Sequence, residues 1–169
     1  MDYRNNKKGF TLMELLVTII LVAILASYAV YYYSDIMRES EVNAAKGRLA
    51  ALGGATTRYV LERGTFSLTN ADGEIAITDS IVAPGVCIPI SSETSDADKA
   101  SNVFRCGYAE RSLGFDEHFD FYFSTANTPC AGGATLNSLT VVMKPKAGET
   151  SAAYPACAYF DPNQDKVVE

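Results

Sequence analysis

Few side chains in this sequence could do covalent or acid–base chemistry. His118 is the only histidine, and no Gly-x-Ser-x-Gly, phosphate-binding glycine loop or His-Glu-x-x-His pattern accompanies it. A histidine without a partner set reads as structural or solvent-exposed rather than catalytic. Cys87, Cys106, Cys130 and Cys157 form no Cys-x-x-Cys pair, so zinc and redox-motif readings are weak. An even number of cysteines after a long apolar run points to disulfides made in an oxidising compartment. Of three possible connectivities, Cys87–Cys106 with Cys130–Cys157 closes two local loops and is the preferred reading. Asp161-Pro162-Asn163-Gln164-Asp165 gathers side-chain oxygens without the Asp-x-Asp-x-Asp-Gly spacing of a calcium loop, and reads as an Asp-Pro turn. The expectation is a protein that is not an enzyme, with no catalytic residue, no cofactor and no metal.

One carboxylate is out of place. Glu14 stands at the head of an apolar stretch, and residues 15–34 that follow carry no charge. Twenty helical residues span about 30 Å, the thickness of a bilayer core. A cleaved secretory signal would have a shorter apolar core, although Ser27-Tyr28-Ala29 offers a small-x-small site. A plain signal anchor, with Lys7 and Lys8 on the cytoplasmic side, leaves Glu14 without a task.

Gly9-Phe10-Thr11-Leu12-Met13-Glu14, between a basic start and an uncharged run, resembles the processing motif of type IV prepilins and type II secretion pseudopilins. The resemblance is close over residues 7–26. It implies a leader, 1–9, cut off after Gly9 by a prepilin peptidase, and N-methylation of Phe10. Residues 10–34 would then be a transmembrane and filament-core helix, and 35–169 an extracytoplasmic head. Phe10 and Glu14 are the implied assembly residues. Cleavage would leave a cationic amine on Phe10, and Glu14 lies four residues on, one helical turn away. That carboxylate can neutralise the amine of its own chain or of a neighbouring subunit, which lowers the cost of a charge in lipid. At an interface, Glu14 also favours a helix N-terminus.

These residues need elements to position them. From Val42 onward, Val42, Ala45, Leu49, Leu52, Thr56, Tyr59 and Val60 recur at helical spacing and define one stripe, with Ile36 as a further core-facing candidate. Glu41, Arg48, Arg58 and Glu62 fall off it, and Gly64 is a plausible stop. One helix is therefore expected from about residue 10 to 63, on the order of 80 Å long. Gly47, Gly53 and Gly54 inside it suit close packing or a bend. Many relatives of this type carry a mid-helix proline, where this chain has Tyr31; Tyr31, Tyr32 and Tyr33 suit a membrane–water boundary or helix packing. Beyond Gly64, Val86–Ile88 reads as a short strand and Ser91–Ser101 as a solvated acidic loop. Strands are expected at 118–124, where Phe119, Phe121 and Phe123 alternate with Asp120, Tyr122 and Ser124, at 138–144 and at 156–161. Strands without intervening helices indicate an antiparallel sheet. The fold class is α+β: a long N-terminal helix on a small sheet, resembling a pilin head. In that resemblance Cys130–Cys157 bounds the C-terminal region, and the major pseudopilins suggest calcium near Asp161 and Asp165 as a lesser idea.

The formal net charge is −6; the first nine residues carry +2 and the rest −8, which disfavours nucleic acid as a partner. The resemblance implies a structural pilus subunit polymerised through its N-terminal helix. The prepilin peptidase, an inner-membrane assembly platform and its ATPase are the implied partners. The precursor would sit in the inner membrane, the product in an extracellular pilus or periplasmic pseudopilus serving adhesion, motility or secretion. The alternatives are a pseudopilin or minor pilin of a secretion or DNA-uptake system and, from another class, a single-pass anchored binding module.

Overall fold

A computed structural model describes residues 10–64, 66–69, 73–125, 130, 139–149 and 154–169. The chain falls into two units, Met1–Ser40 and Glu41–Glu169. In chain order the elements are α1 (Leu12–Arg63), β1 (Glu74–Ala76), α2 (Asp79–Val82), a 3-10 turn (Ile90–Ser92), α3 (Asp96–Arg105), a second 3-10 turn (Arg111–Gly114), β2 (Phe119–Ser124), β3 (Thr140–Pro145), β4 (Ala158–Asp161) and β5 (Lys166–Val168). The class is α+β, as expected.

Within the first unit, α1 carries its large apolar side chains exposed. Ile36 belongs with them: at 61% exposure it is not the core-facing residue expected from the sequence. Ile36 lies six residues before Val42, the first helical residue in the core of the second unit, and so falls off the three-and-four spacing of the stripe.

In the second unit the stripe holds. Val42, Ala45, Leu49, Leu52, Gly53, Ala55, Thr56 and Tyr59 are buried, while Val60 packs at the margin. Arg58 and Glu62 pair at 2.9 Å across one turn. Gly64 ends the helix with φ +94° as its N–H donates to the Val60 carbonyl at 2.8 Å. A left-handed residue there satisfies an otherwise orphaned carbonyl. Only one of the three internal glycines serves close packing. A Cβ on Gly53 would lie 2.1 Å from Cγ of Phe160, whereas Gly47 and Gly54 face open space.

The sheet is antiparallel, in the order β1-β2-β3-β4-β5. Phe121 opposes Met143 and Phe123 opposes Val141, so the alternation read from the sequence puts both pairs in the core with α1. The other face holds Val142 and Tyr159, partners across β3 and β4, clustered with Cys130 and Cys157. Both cysteine pairs form as preferred: Cys87–Cys106 and Cys130–Cys157.

Four local expectations are corrected. Ser91–Ser101 is not a solvated loop, because most of it lies in α3. Ser95 caps that helix in a capping box with Asp98, and Ala100, Val103 and Phe104 are buried at the spacing of one helix face. Two of the acidic residues that suggested solvent, Asp96 and Asp98, occupy the first turn, where the helix dipole favours them, and the third, Glu93, pairs with Arg63. Val86–Ile88 is not a strand; there the Asn102 amide accepts from the Ile88 N–H at 3.0 Å and donates to its carbonyl at 2.9 Å, taking the bonds a neighbouring strand would make. Ser124 is buried rather than outward. Helices α2 and α3 also intervene between β1 and β2, though the sheet remains antiparallel. Strand edges move slightly as well: β2, β3 and β4 begin at Phe119, Thr140 and Ala158, and Ser138 lies outside the described residues.

Candidate functional site

The candidate site is the start of α1 and the apolar length that follows. Phe10 precedes the helix and is 77% exposed. Thr11 caps it: its Oγ1 accepts from the Glu14 N–H at 3.2 Å, and its carbonyl accepts from the Leu15 N–H at 3.2 Å. Glu14 is thereby the third residue of the helix, exposed, with its carboxylate at the positive end of the dipole. Thr11 was not singled out above, yet Thr-x-x-Glu before an apolar run is the sequence form of a capping box. The cap sets where the helix begins, so the one carboxylate of this region stands in the first turn. Gly9 lies outside the described residues.

The rest of the segment is prepared for an apolar surrounding. Its large side chains, from Leu12 to Tyr33, are exposed. Among the described residues, α1 is the helix long and apolar enough to cross a membrane. Each serine and threonine hydroxyl inside it bonds to its own helix: Thr18 to the Leu15 carbonyl at 2.8 Å, Ser27 to Ala23 at 2.9 Å and Ser34 to Tyr31 at 3.0 Å. Lipid offers no partner, so these internal bonds remove a penalty that three bare hydroxyls would carry. The Tyr28 and Tyr32 hydroxyls bond at 2.9 Å, and the Tyr31 ring meets the Tyr32 ring edge-on at 5.9 Å.

Other groups with chemical potential sit in structural settings. His118 lies between Glu41, with Nε2 3.6 Å from its carboxylate, and Glu149, with Nδ1 3.4 Å from it, and its ring stacks on Tyr154. The small cavity beside it, about 180 Å³, is lined by Glu41, Ala44, Arg48, Asp116, Glu117 and His118. Asp161 is buried; its Oδ1 accepts from the Asn163 N–H and its Oδ2 from the Gln164 amide. That is the turn the sequence suggested, closed by Asp165 at φ +50°. Among the described residues no three histidine, cysteine or acidic side chains converge as a metal site would need. A polar cluster that the sequence did not reveal joins Tyr59 and Arg63 of α1, Glu93, and Asn102 of α3 around the Cys87 loop. Its members are scattered over forty-odd residues, so no local spacing announces it.

Residues 4–30 match the family model described as the prokaryotic N-terminal methylation motif. The chain is 35% identical to the fimbrial protein EcpC of Eikenella corrodens over 72 residues, which is 43% of this chain and 47% of that one. It is 35% identical to the type IV major pilin PilE of Neisseria gonorrhoeae over 75 residues, 44% of this chain and 45% of that one. A type IV major alpha-pilin of Moraxella bovis is 43% identical over 47 residues, 28% of this chain and 30% of that one. The chain thus spans about half the length of the curated relatives it matches, or less. No solved structure gives a significant match. The resemblance read from Gly9–Glu14 is borne out: the chain is similar to type IV pilins and carries a match to their N-terminal motif.

Proposed function

We propose that the chain is the structural subunit of a type IV pilus. It is inserted in the inner membrane as a precursor, cut between Gly9 and Phe10 by a prepilin peptidase and polymerised through its N-terminal helix. An assembly platform and its ATPase supply the machinery and the work. The observation that carries this reading is a lone carboxylate, Glu14, in the capped first turn of a helix whose large apolar side chains from Leu12 to Tyr33 are all exposed, inside a segment that matches the methylation motif.

The physical logic is transfer between two apolar environments. Each large side chain removed from lipid into water would cost roughly 1.5–3 kcal/mol, so a subunit leaves the membrane only if another apolar surface receives it. Packed copies of the same helix are such a surface. Hydrophobicity does not set the register between smooth apolar helices, whereas a charge pair does. Glu14 paired with the Phe10 amine of a neighbour is stabilised where a mismatched register would leave both charges unpaired in an apolar core.

Glu14→Leu tests the proposal in cells. The expected result is stable protein in the membrane fraction with filament yield reduced at least tenfold. A single-pass anchored binding module would insert better and keep its function. Filaments at the unmodified yield from Glu14→Leu would contradict the assembly role.

A further inference from the structure

The Cys87–Cys106 disulfide is electrostatically lopsided. On one side, Arg63 of α1 donates from its Nη2 to Sγ of Cys87 at 2.9 Å. The same guanidinium is held in place by the Ile88 carbonyl at 2.9 Å and by Glu93 at 3.1 Å. Asn102 pins Ile88, the residue after Cys87, through both its backbone groups. Arg105 packs against Gly85, two residues before Cys87, and its buried Nε has no hydrogen-bond partner. On the other side, Cys106 is the C-cap of α3, its N–H bonded to the Asn102 carbonyl at 3.0 Å. A guanidinium in contact with a sulfur favours the thiolate. The negative end of a helix dipole disfavours one. Both features therefore push electron density toward Cys87, and both cysteines are half-buried, not sealed in the core.

We propose that this disulfide exchanges with one polarity: a thiol partner attaches at Cys106, and Cys87 is the sulfur that leaves and returns. An incoming thiolate forms a new S–S bond with Sγ of Cys106. The Cys87–Cys106 bond breaks, and its electron pair stays on Cys87 as a thiolate beside Arg63. In the oxidative direction Cys87 attacks the mixed disulfide on Cys106 and expels the partner as its thiolate. Exchange is faster when the leaving thiol is the more acidic one, which sets the direction of attack. The partner chemistry is that of a thiol–disulfide oxidoreductase with an exposed reactive cysteine. Arg63 is a positioning and charge-stabilising residue for this chemistry. The inference does not rest on filament assembly.

Two measurements on the full chain in detergent micelles test it. First, the pH dependence of iodoacetamide alkylation is measured for the free thiol of Cys106→Ala (Cys87) and of Cys87→Ala (Cys106). The expected midpoint for Cys87 lies about one pH unit below that for Cys106, a tenfold difference in thiolate fraction at lower pH. Arg63→Gln in the Cys106→Ala background abolishes the difference and slows alkylation. If Arg63 were only structural, its loss would loosen the loop and speed alkylation, and that outcome overturns the proposal. Second, unmodified protein is exposed briefly to reduced glutathione, quenched with acid and mapped by peptide mass. Glutathione on Cys106, in about tenfold excess over Cys87, supports the polarity. Glutathione equally on both, mainly on Cys87, or on neither refutes it, whether or not the single variants fold.

Discussion

Tyr59 shows how a single residue in the head couples to solvent conditions. It is buried between Phe66 and Tyr108, with ring centroids at 5.9 and 5.2 Å, and donates its hydroxyl to Glu93 at 2.9 Å. Burial first, and the Glu93 carboxylate second, push its pKa from 10 up to about 12. The folded chain therefore keeps this proton at a pH where the unfolded chain has lost it. The stabilising effect of the neutral phenol is complete below pH 10 and is lost as pH rises toward 12. Denaturant unfolding across that window should show a falling midpoint. Tyr59→Phe should flatten the fall while costing about 1 kcal/mol at neutral pH for the lost hydrogen bond. An unchanged alkaline slope in Tyr59→Phe would mean that another group sets it. Glu14 contrasts with Tyr59 in legibility. Its anomaly was visible as a charge beside an uncharged run, whereas Glu93, Tyr59, Arg63 and Asn102 come together only through tertiary packing.

At the scale of elements, α1 offers a paired test. Gly53 is where Phe160 of β4 seats against the helix, and Gly54, its neighbour in sequence, faces open space. Replacing Gly by Ala within a helix is worth about 1 kcal/mol in propensity. Gly54→Ala should therefore stabilise the head by up to about 1 kcal/mol. Gly53→Ala should destabilise it despite the same propensity gain, because forcing a methyl against Phe160 costs about 1–3 kcal/mol. Thermal melts of the two variants should move in opposite directions; two shifts of the same sign would contradict the packing. Ser95→Ala should cost about 1 kcal/mol through loss of the α3 cap. Elements with strong periodicity, the Val42–Tyr59 stripe and the Phe119–Phe123 alternation, were legible because one face of each is buried against a neighbour. Helix α3 was not, because its first turn is as acidic as a loop and its apolar stripe begins only at Ala100. Strands β1 and β5, three residues each, carry too few side chains to show a period at all. Their pairing with β2 and β4 is what makes them strands.

At the scale of the molecule, two loops are closed covalently, and the Cys130–Cys157 bond, spanning a sequence separation of 27, packs with Val142 and Tyr159 on the far face of the sheet. Removing that bond with Cys130→Ser and Cys157→Ser together should lower stability by about 3 kcal/mol, read from denaturant unfolding. The division into leader, membrane segment and head is what the resemblance of residues 7–26 to prepilins implies. Its functional meaning depends on whether the chain is cut after Gly9. The most direct measurement is the intact mass and N-terminal sequence of the protein from sheared surface filaments and from membranes. The account predicts a chain beginning at N-methylated Phe10, recovered in the filaments. Processed chain confined to the membrane would replace the pilus with a pseudopilus or a minor subunit, and a chain beginning at Val30 would be a secreted product. A chain still beginning at Met1 would contradict the account outright.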